Sequence, residues 1–247
     1  MAVATIRFHG SLNFFLPQRQ RHQVIEHPFD WRASIKDMLE SLGPPHPEMQ
    51  LLLLNDRSVD FDTIVAPGDH IEVYDHFDAV EVPNMVRLRP VYPGRPRFVL
   101  DTHLGRLANY LRMLGFDTLY RNDFADDELA SISHDEQRIL LTRDIGLLKR
   151  SLVIYGYYVR ETNPKRRIVE IVRRLDLHEL VVPYRRCTRC NGVLQAVQKS
   201  DILPHLSVNP MTYYDEFHQC TSCEQIYWKG SHFERLQTFM HEVLNGD

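Results

Sequence analysis

The chain has 247 residues, of which 43% are hydrophobic and 25% are charged. This is the composition of a soluble globular protein, and its longest aliphatic run, Leu51–Leu54, is far too short to span a membrane. The net charge of -4 is unevenly distributed, because residues 1–85 hold 6 basic and 13 acidic residues, whereas residues 86–180 hold 17 and 13. The basic middle of the chain suits a phosphate-rich partner, although a solvated surface that balances the acidic N-terminus would give the same counts.

Residues 1–81 are predicted to form a small, β-rich domain. Strands are predicted at 3–8, 23–29, 50–54, 59–62 and 70–74, and Ser34 is the candidate N-cap of a helix that begins at Ile35. The order ββαβββ and the turns at 55–57 and 67–69 resemble a ubiquitin-like β-grasp fold of the sulfur-carrier type. Such carriers end in a free Gly-Gly, whereas this chain continues beyond residue 80. We therefore expect a stability module or a surface for a protein partner.

Residues 82–97 are predicted to be a linker. Four prolines in this stretch remove backbone donors and disfavour a continuous helix or a central strand. Four arginines make the segment basic, and the simplest interpretation is a solvated connector.

Residues 98–182 alternate between strand and helix patterns. Apolar residues recur at helical spacing between 104 and 114, and further helices are predicted from 126, 145 and 165. Short apolar strands are predicted at 98–100, 117–120, 138–142 and 153–159. This βαβαβαβα order predicts an α/β domain with a mostly parallel sheet wrapped by helices.

Two of these strands stop on an aspartate, Asp101 and Asp144, and a parallel sheet would place both at the edge where such sheets bind ligands. Asp126 and Asp127, at the start of the second helix, are candidates to join them as catalytic acids. Carboxylates crowded at one edge resist ionisation, and a hard divalent cation such as Mg²⁺ or Mn²⁺ relieves that conflict. Such a site can activate water and neutralise charge on a scissile phosphate. Taken singly, Asp101, Asp126 and Asp144 could equally be helix N-caps.

Basic side chains near these acids are candidates for holding the phosphates of a substrate, although some of them would only be solvated. His103 is also close to Asp101 in sequence, and a structural role suits it better than general-base catalysis. The candidate substrate-binding residues are Arg106, Arg112, Arg143, Lys149 and Arg150.

Residues 183–247 contain all four cysteines, in two CxxC pairs separated by 29 residues. Cys187, Cys190, Cys220 and Cys223 would supply four thiolates, which suits a closed, tetrahedral structural zinc site; a redox or free-thiol pair is the alternative. Nothing in this spacing indicates a secreted disulfide framework, and residues 1–7 lack a signal-peptide pattern, so we predict a cytoplasmic protein. A final helix is predicted at about 232–244.

The stretch from 98 to 175 resembles the PIN-like ribonuclease domain of the mut-seven C-terminal RNase family. The motifs that carry the resemblance are DTHLGRLA (101–108), LRMLGFDT (111–118), DDEL (126–129) and RILLTRD (138–144). RCNG (189–192) and YWKGSH (227–232) resemble the zinc ribbon that follows that domain. Family members also occur with a ubiquitin-like N-terminus, so the resemblance covers nearly the whole chain.

The resemblance implies a metal-dependent PIN-type nuclease that acts on RNA, with Asp101, Asp126 or Asp127, and Asp144 as its acids. PIN domains often carry a fourth acid after the last strand, but here an isoleucine and a glycine follow Asp144. The predicted boundaries are 1–81 for the β-grasp domain, 82–97 for the linker, 98–182 for the PIN-like domain and 183–247 for the zinc ribbon and final helix.

Two functions remain open on these grounds. The first is a ribonuclease that prefers single-stranded RNA. Asp101 and Asp144 would bind Mg²⁺ or Mn²⁺, and Asp126 or Asp127 would complete the metal shell. The zinc ion would have a structural role only. The second is an RNA- or protein-binding adaptor that keeps the PIN-like fold but has little turnover. The missing fourth acid favours the adaptor, and the retention of the other three favours the enzyme.

Overall fold

The N-terminal domain is a mixed sheet with one helix packed on it; the computed structural model describes residues 2–30, 34–205 and 213–228 of the chain. The elements of this domain are β1 (Ala2–Phe8), β2 (Val24–Phe29), α1 (Ile35–Ser41), β3 (Leu51–Leu54), β4 (Arg57–Ser58) and β5 (His70–Tyr74). The strand order is β2-β1-β5-β3-β4, with β1 and β5 parallel and the other pairs antiparallel. Ser34 caps α1 as predicted, because its side chain accepts a hydrogen bond from Asp37 N.

One predicted strand of this domain is wrong, because residues 60–62 leave the sheet, although Val59 N still donates to Leu52 O (3.1 Å) of β3. β4 ends at Ser58, and Asp60 Oδ1 then accepts hydrogen bonds from Asp62 N (3.2 Å) and Thr63 Oγ1 (3.0 Å). These bonds satisfy polar groups locally and turn the chain away from the sheet. The alternating apolar pattern at Val59 and Phe61 reflects packing against the core of the domain.

The linker, residues 82–97, contains neither helix nor strand, as predicted, but it is packed rather than solvated. Arg89 donates a hydrogen bond to Pro47 O in the N-terminal domain. The guanidinium of Arg95 lies 4.8 Å from the centroid of the Phe116 ring, which belongs to the following domain. These two arginines fix the linker to the domain on each side, so the interpretation as a solvated connector is wrong.

The central domain is a parallel sheet covered by helices on both faces. Its elements are β6 (Phe98–Leu100), α2 (Gly105–Met113), β7 (Thr118–Tyr120), α3 (Asp126–Asp135), β8 (Ile139–Thr142), α4 (Ile145–Leu148), β9 (Gly156–Tyr158) and α5 (Pro164–Arg174). The strand order is β7-β6-β8-β9, and every pair is parallel, which confirms the predicted sheet. Alternate residues of a strand point to opposite faces, so Leu100 packs with α2 and α5, whereas Val99 packs with α3 and α4.

The outer edge of β9 is covered by the N-terminal domain. Tyr158 N donates to Glu48 Oε1 (2.7 Å), and Arg160 Nη2 donates to Glu48 Oε2 (2.9 Å). The Glu48 side chain is completely buried. Nearby, His46 Nε2 lies 2.9 Å from Val153 O. A buried carboxylate thus accepts the hydrogen bond that a neighbouring strand would otherwise accept, and it protects the exposed edge of the sheet.

We expect Glu48→Gln to lower the free energy of unfolding by about 3 kcal/mol, because the largely buried Arg160 guanidinium would lose its counter-charge. Glu26→Gln, at an exposed glutamate of β2, is the matched control and should change the free energy by less than about 0.5 kcal/mol. Urea unfolding of the full chain measures both variants. Equal free energies of unfolding in the two variants would show that this ion pair does not hold the domains together.

The outer edge of β7 is covered by the C-terminal domain. Thr118 N donates to Asn191 Oδ1 (2.9 Å), and Asn191 Nδ2 donates to Asp117 Oδ1 (2.8 Å). Arg138 and Arg186 bind the same carboxylate at 2.7 and 3.0 Å. Burial raises the pKa of Asp117, but hydrogen bonds from Arg138 and Asn191 outweigh it and hold the pKa below its ordinary value. The charged contact therefore stabilises the protein at neutral pH and is lost as the pH falls through that lowered pKa.

The C-terminal domain is a small antiparallel sheet that carries the cysteines. Its elements are β10 (Leu194–Val197), α6 (Lys199–Ile202), β11 (Phe217–Cys220) and β12 (Ile226–Trp228), with the strand order β10-β11-β12. The helix predicted at about 232–244 lies outside the described residues. Among the helices of the described ranges, none is both long enough and apolar enough to cross a membrane.

Candidate active site

Asp101 and Asp144 lie at the carboxyl ends of the two central strands of the parallel sheet. Asp101 directly follows β6, and Asp144 lies two residues after the end of β8. In the strand order β7-β6-β8-β9, the connection from β6 leads to its neighbour β7, whereas the connection from β8 leads in the opposite direction to β9. The two connections therefore diverge between β6 and β8. Such a switch point leaves a crevice in which α/β sheets bind their ligands.

The hydroxyl group of Thr142 connects these two aspartates. Its Oγ1 donates to Asp101 Oδ2 (2.7 Å) and accepts a hydrogen bond from Asp144 N (2.9 Å). Asp101 Oδ1 in turn accepts from Thr102 N (2.5 Å). Thr142 is completely buried, so its hydroxyl fixes both aspartates relative to the sheet. Thr142 is not among the candidates that the sequence indicates, although it ends a buried strand two residues before Asp144.

The N-cap alternative holds for two of the aspartates. Asp101 caps the 3-10 helix Thr102–Leu104, and Asp144 caps α4 by accepting a hydrogen bond from Leu147 N, 3.1 Å from its Oδ1. In the part of the chain that the structure describes, no hydrogen bond reaches the second carboxylate oxygen of Asp144. Capping and ligand binding are therefore compatible, because each role can use a different oxygen.

Asp126 and Asp127 occupy the first turn of α3, and the N-cap of that helix is Ala125. The N-cap alternative for Asp126 is therefore wrong, because the helix begins at Asp126 itself. Both aspartates are exposed and pair with Arg150, whose Nη1 contacts Asp127 and whose Nη2 lies 3.9 Å from Asp126 Oδ2. These two acids already have a cationic partner, whereas within the described ranges Asp101 and Asp144 have none.

Two of the predicted substrate-binding residues have structural roles instead. Arg112 is buried, and its guanidinium donates to Thr118 O (3.0 Å) and Thr188 O (3.1 Å), which ties the C-terminal domain to the central one. Lys149 Nζ donates to Glu40 O (2.5 Å) in the N-terminal domain. Their charges are taken up by backbone carbonyls of other domains, so phosphate binding does not suit either residue.

Arg143 and Arg106 remain at the carboxyl edge of the sheet. Arg143 Nη1 donates to the carbonyl oxygens of residues 159, 160 and 161 and so shapes the loop after β9. Arg106 is exposed in the first turn of α2, and its side chain has no polar partner within the described ranges. Arg167 in α5 was not selected from the sequence; partial burial and the nearby Arg143 lower its pKa. These three arginines concentrate positive charge at the edge that carries Asp101.

The four cysteines form the one group of three or more potential ligands that lies close enough to hold a single ion within the described part of the chain. Their Sγ atoms all lie within 4.8 Å of one another, with 3.7 Å between Cys187 and Cys223 and 3.4 Å between Cys190 and Cys220. Zinc–sulfur bonds of about 2.3 Å in a tetrahedron separate the sulfurs by about 3.8 Å. The cluster could therefore bind zinc.

Backbone N–H groups support the sulfurs of this cluster. Gly192 N donates to Cys190 Sγ and Ser222 N to Cys220 Sγ, both at 3.4 Å. Burial raises the pKa of Cys220, but backbone hydrogen bonds from Cys223 and Ser222 outweigh it and lower the pKa to about 7. At Cys190, burial outweighs the hydrogen bond from Gly192 and raises the pKa to about 12, so these N–H groups favour the thiolate, the form of cysteine that binds metal, only at Cys220.

A family model described as Mut7-C RNAse domain matches residues 96–240. The chain belongs to this family. A second family model, described as Mut7-C ubiquitin, matches residues 1–81. Comparisons with curated proteins and with solved structures each give no match.

Membership of the Mut7-C family confirms the resemblance drawn from the sequence motifs, and it supports a nuclease-type function with RNA as the class of partner. The matched residues include Asp101 and Asp144 as well as the four cysteines. The Mut7-C ubiquitin match confirms the predicted β-grasp domain and indicates a role in protein interaction.

Proposed function

We propose that this Mut7-C protein is a ribonuclease that hydrolyses phosphodiester bonds of single-stranded RNA with Mg²⁺ or Mn²⁺ bound by Asp101 and Asp144. The observation that carries the proposal is the Thr142 hydroxyl, which donates to the carboxylate of Asp101 and accepts from the backbone N–H of Asp144 at the switch point of a parallel sheet. The nuclease-type function of the family supports the same class of reaction.

The donor set at this edge fits the proposed ion. Carboxylate oxygens are the protein ligands that Mg²⁺ and Mn²⁺ prefer, and Mg²⁺ often binds through one or two carboxylates, with waters and substrate phosphates as its other ligands. Hydrogen bonds from Thr142, Thr102 and Leu147 hold the carboxylates of the two aspartates in place. When bound, the ion supplies positive charge to the scissile phosphate and activates water.

The remaining groups at this edge would bind and orient the RNA. Arg106 would contact a backbone phosphate, because its exposed side chain lies at the edge that carries Asp101. Arg143 and Arg167 donate to backbone carbonyls of the loop after β9 and would add positive charge to this edge without binding phosphate directly. Asp126 and Asp127 would join the metal shell through water once the substrate or the ion displaces Arg150. Thr142 is a positioning residue, since it acts through Asp101 and Asp144.

We expect Thr142→Val to slow RNA cleavage about tenfold to a hundredfold. Valine keeps the shape of the buried side chain but removes the hydroxyl group that orients Asp101 Oδ2. Thr142→Ser keeps the hydroxyl group and should retain most of the rate. Single-turnover cleavage of a labelled single-stranded RNA in Mn²⁺ measures the rates, and melting temperatures check the fold. Equal rates for the valine and serine variants would contradict the positioning role.

We also propose that the four cysteines hold one structural zinc ion. Four thiolate ligands leave no open coordination position, so the ion would stabilise the C-terminal domain rather than take part in cleavage. A cytoplasmic location, which we also propose, would keep the cysteines reduced and available for the metal.

A second candidate function is the catalytically weak RNA- or protein-binding adaptor. The ion pairs of Arg150 favour it, because they neutralise two of the four candidate acids. Titration of Mg²⁺ and Mn²⁺ into wild-type protein with labelled single-stranded RNA separates the two functions. Metal-dependent cleavage supports the ribonuclease, whereas RNA binding without cleavage at any metal concentration supports the adaptor.

A further inference from the structure

A row of side chains crosses the carboxyl ends of the central sheet. Asp101 N donates to Leu141 O (3.1 Å), which places Asp101 beside Thr142, and Thr142 pairs in register with Tyr158 on β9. Neighbouring strands lie about 4.8 Å apart, so Tyr158 is one strand away from the residue that binds Asp101. The Tyr158 ring packs in the cluster on the α3 and α4 face of the sheet.

The N-terminal domain continues this row with two aromatic rings. Phe14 and Phe15 end the 3-10 helix Gly10–Phe15, and each packs against Tyr158 with 5.5 Å between ring centroids. Phe15 is half-buried, whereas Phe14 is 44% exposed. A ring that is supported on one side and faces solvent on the other can stack with a nucleic acid base.

Cationic side chains lie next to these rings. The Cζ atom of Arg160 is 5.4 Å from the centroid of Phe14, and the Cζ atom of Arg143 is 5.9 Å from that of Tyr158. Aromatic rings for the bases together with positive charge for the backbone are the combination that binds single-stranded nucleic acids. Arg160 is paired with Glu48 and supports the ring, so the positive charge beside the rings comes from Arg143. A protein or lipid partner would require a wider apolar surface than one partly exposed ring.

We propose that Phe14, supported by Tyr158, stacks against a base of single-stranded RNA that lies across the carboxyl edge of the central sheet, so that the β-grasp domain forms part of the substrate-binding surface. This inference rests on the proposed ribonuclease function. It also gives a reason for the fixed contact between the N-terminal domain and β9, because a stacking ring must keep a constant distance from Asp101 and Asp144. Stacking tolerates any base, so Phe14 would position RNA without selecting its sequence.

The test measures binding of the full chain to a fluorescein-labelled, eight-nucleotide oligoadenylate in buffer without added Mg²⁺ or Mn²⁺, so that the proposed cleavage lacks its metal ion while zinc stays bound. Phe14→Leu keeps apolar packing against Tyr158 but removes the aromatic face, and it should weaken binding about tenfold. Phe14→Trp should bind at least as tightly as the wild type, and RNA should quench the emission of the added indole. Val24→Ala, at an exposed residue of β2 on the outer edge of the N-terminal sheet, is the control and should bind like the wild type.

Equal affinities of the wild type and Phe14→Leu would overturn the inference, and so would an absence of RNA binding by the wild type. Unquenched indole emission in RNA-bound Phe14→Trp would overturn it independently of any change in stability. The proposed ribonuclease function is tested separately by cleavage. A protein that binds RNA through Phe14 but does not cleave it with any divalent metal would keep the stacking surface and lose the ribonuclease assignment.

Discussion

Asp144→Asn should reduce metal-dependent RNA cleavage about a thousandfold and leave the protein folded. Asparagine keeps the shape of the side chain, and its oxygen can still accept the hydrogen bond from Leu147 N, so α4 stays capped. The substitution removes the negative charge that the side chain would offer to the divalent ion, and with it several kcal/mol of transition-state stabilisation. The measurement is single-turnover cleavage of a labelled single-stranded RNA in Mn²⁺, with melting curves recorded without added metal.

The matched control for this experiment is Asp135→Asn. Asp135 is exposed at the C-terminal end of α3, the end opposite Asp126 and Asp127, and its carboxylate contacts His134. The control makes the same change of charge in the same domain and should cleave RNA like the wild type. If both variants cleave at the wild-type rate, Asp144 is only a helix cap. If the wild type does not cleave RNA with any divalent metal, the adaptor function is favoured.

Removal of zinc is the second change with a large expected effect. Purified protein should contain one zinc ion per chain, and Cys190→Ser should lose that ion and melt at a much lower temperature. Zinc bound by four thiolates contributes on the order of 10 kcal/mol to the folding of small domains. The loss should also loosen the edge of β7, because Arg112 donates to Thr188 O and Thr118 N donates to Asn191 Oδ1, and both acceptors lie next to a cysteine. Elemental analysis and thermal melting measure the two effects.

Ser222→Ala is the control for the zinc experiment, because it changes a neighbouring residue of the second CxxC pair and keeps all four thiolates. This variant should retain its zinc and melt close to the wild-type temperature. A zinc-free wild type that melts at the same temperature as the zinc-loaded form would contradict the structural role of the metal.

Features of the site that depend on local sequence could be predicted. A strand of apolar residues that stops at an aspartate needs only its own residues to be recognised, and this is how Asp101 and Asp144 were found. The CxxC pairs were found in the same way, and the structure brings their sulfurs together. The parallel sheet followed from the alternation of strands and helices, because strands joined through helices pair in parallel.

Roles that depend on distant partners could not be predicted. Arg112 looked like a phosphate-binding residue from its position on a basic helix, but it is buried against a carbonyl 76 positions further along the chain. Glu48 gave no functional signal, although it binds Tyr158 N, 110 positions away. The domain that packs against such a charged side chain decides whether it contacts a carbonyl, an ion or solvent. The pattern of apolar residues within one segment of the sequence does not indicate that contact.

The sequence by itself determined the type of each domain, the two aspartates that end central strands and the four cysteines, because periodicity and residue spacing are properties of contiguous segments. Only the tertiary structure decided that Thr142 connects Asp101 with Asp144, that Arg150 pairs with Asp126 and Asp127, and that both edges of the parallel sheet are covered by other domains. The physical reason is that a hydrogen bond or an ion pair requires two groups within about 3 to 4 Å, a condition that only the folded chain establishes.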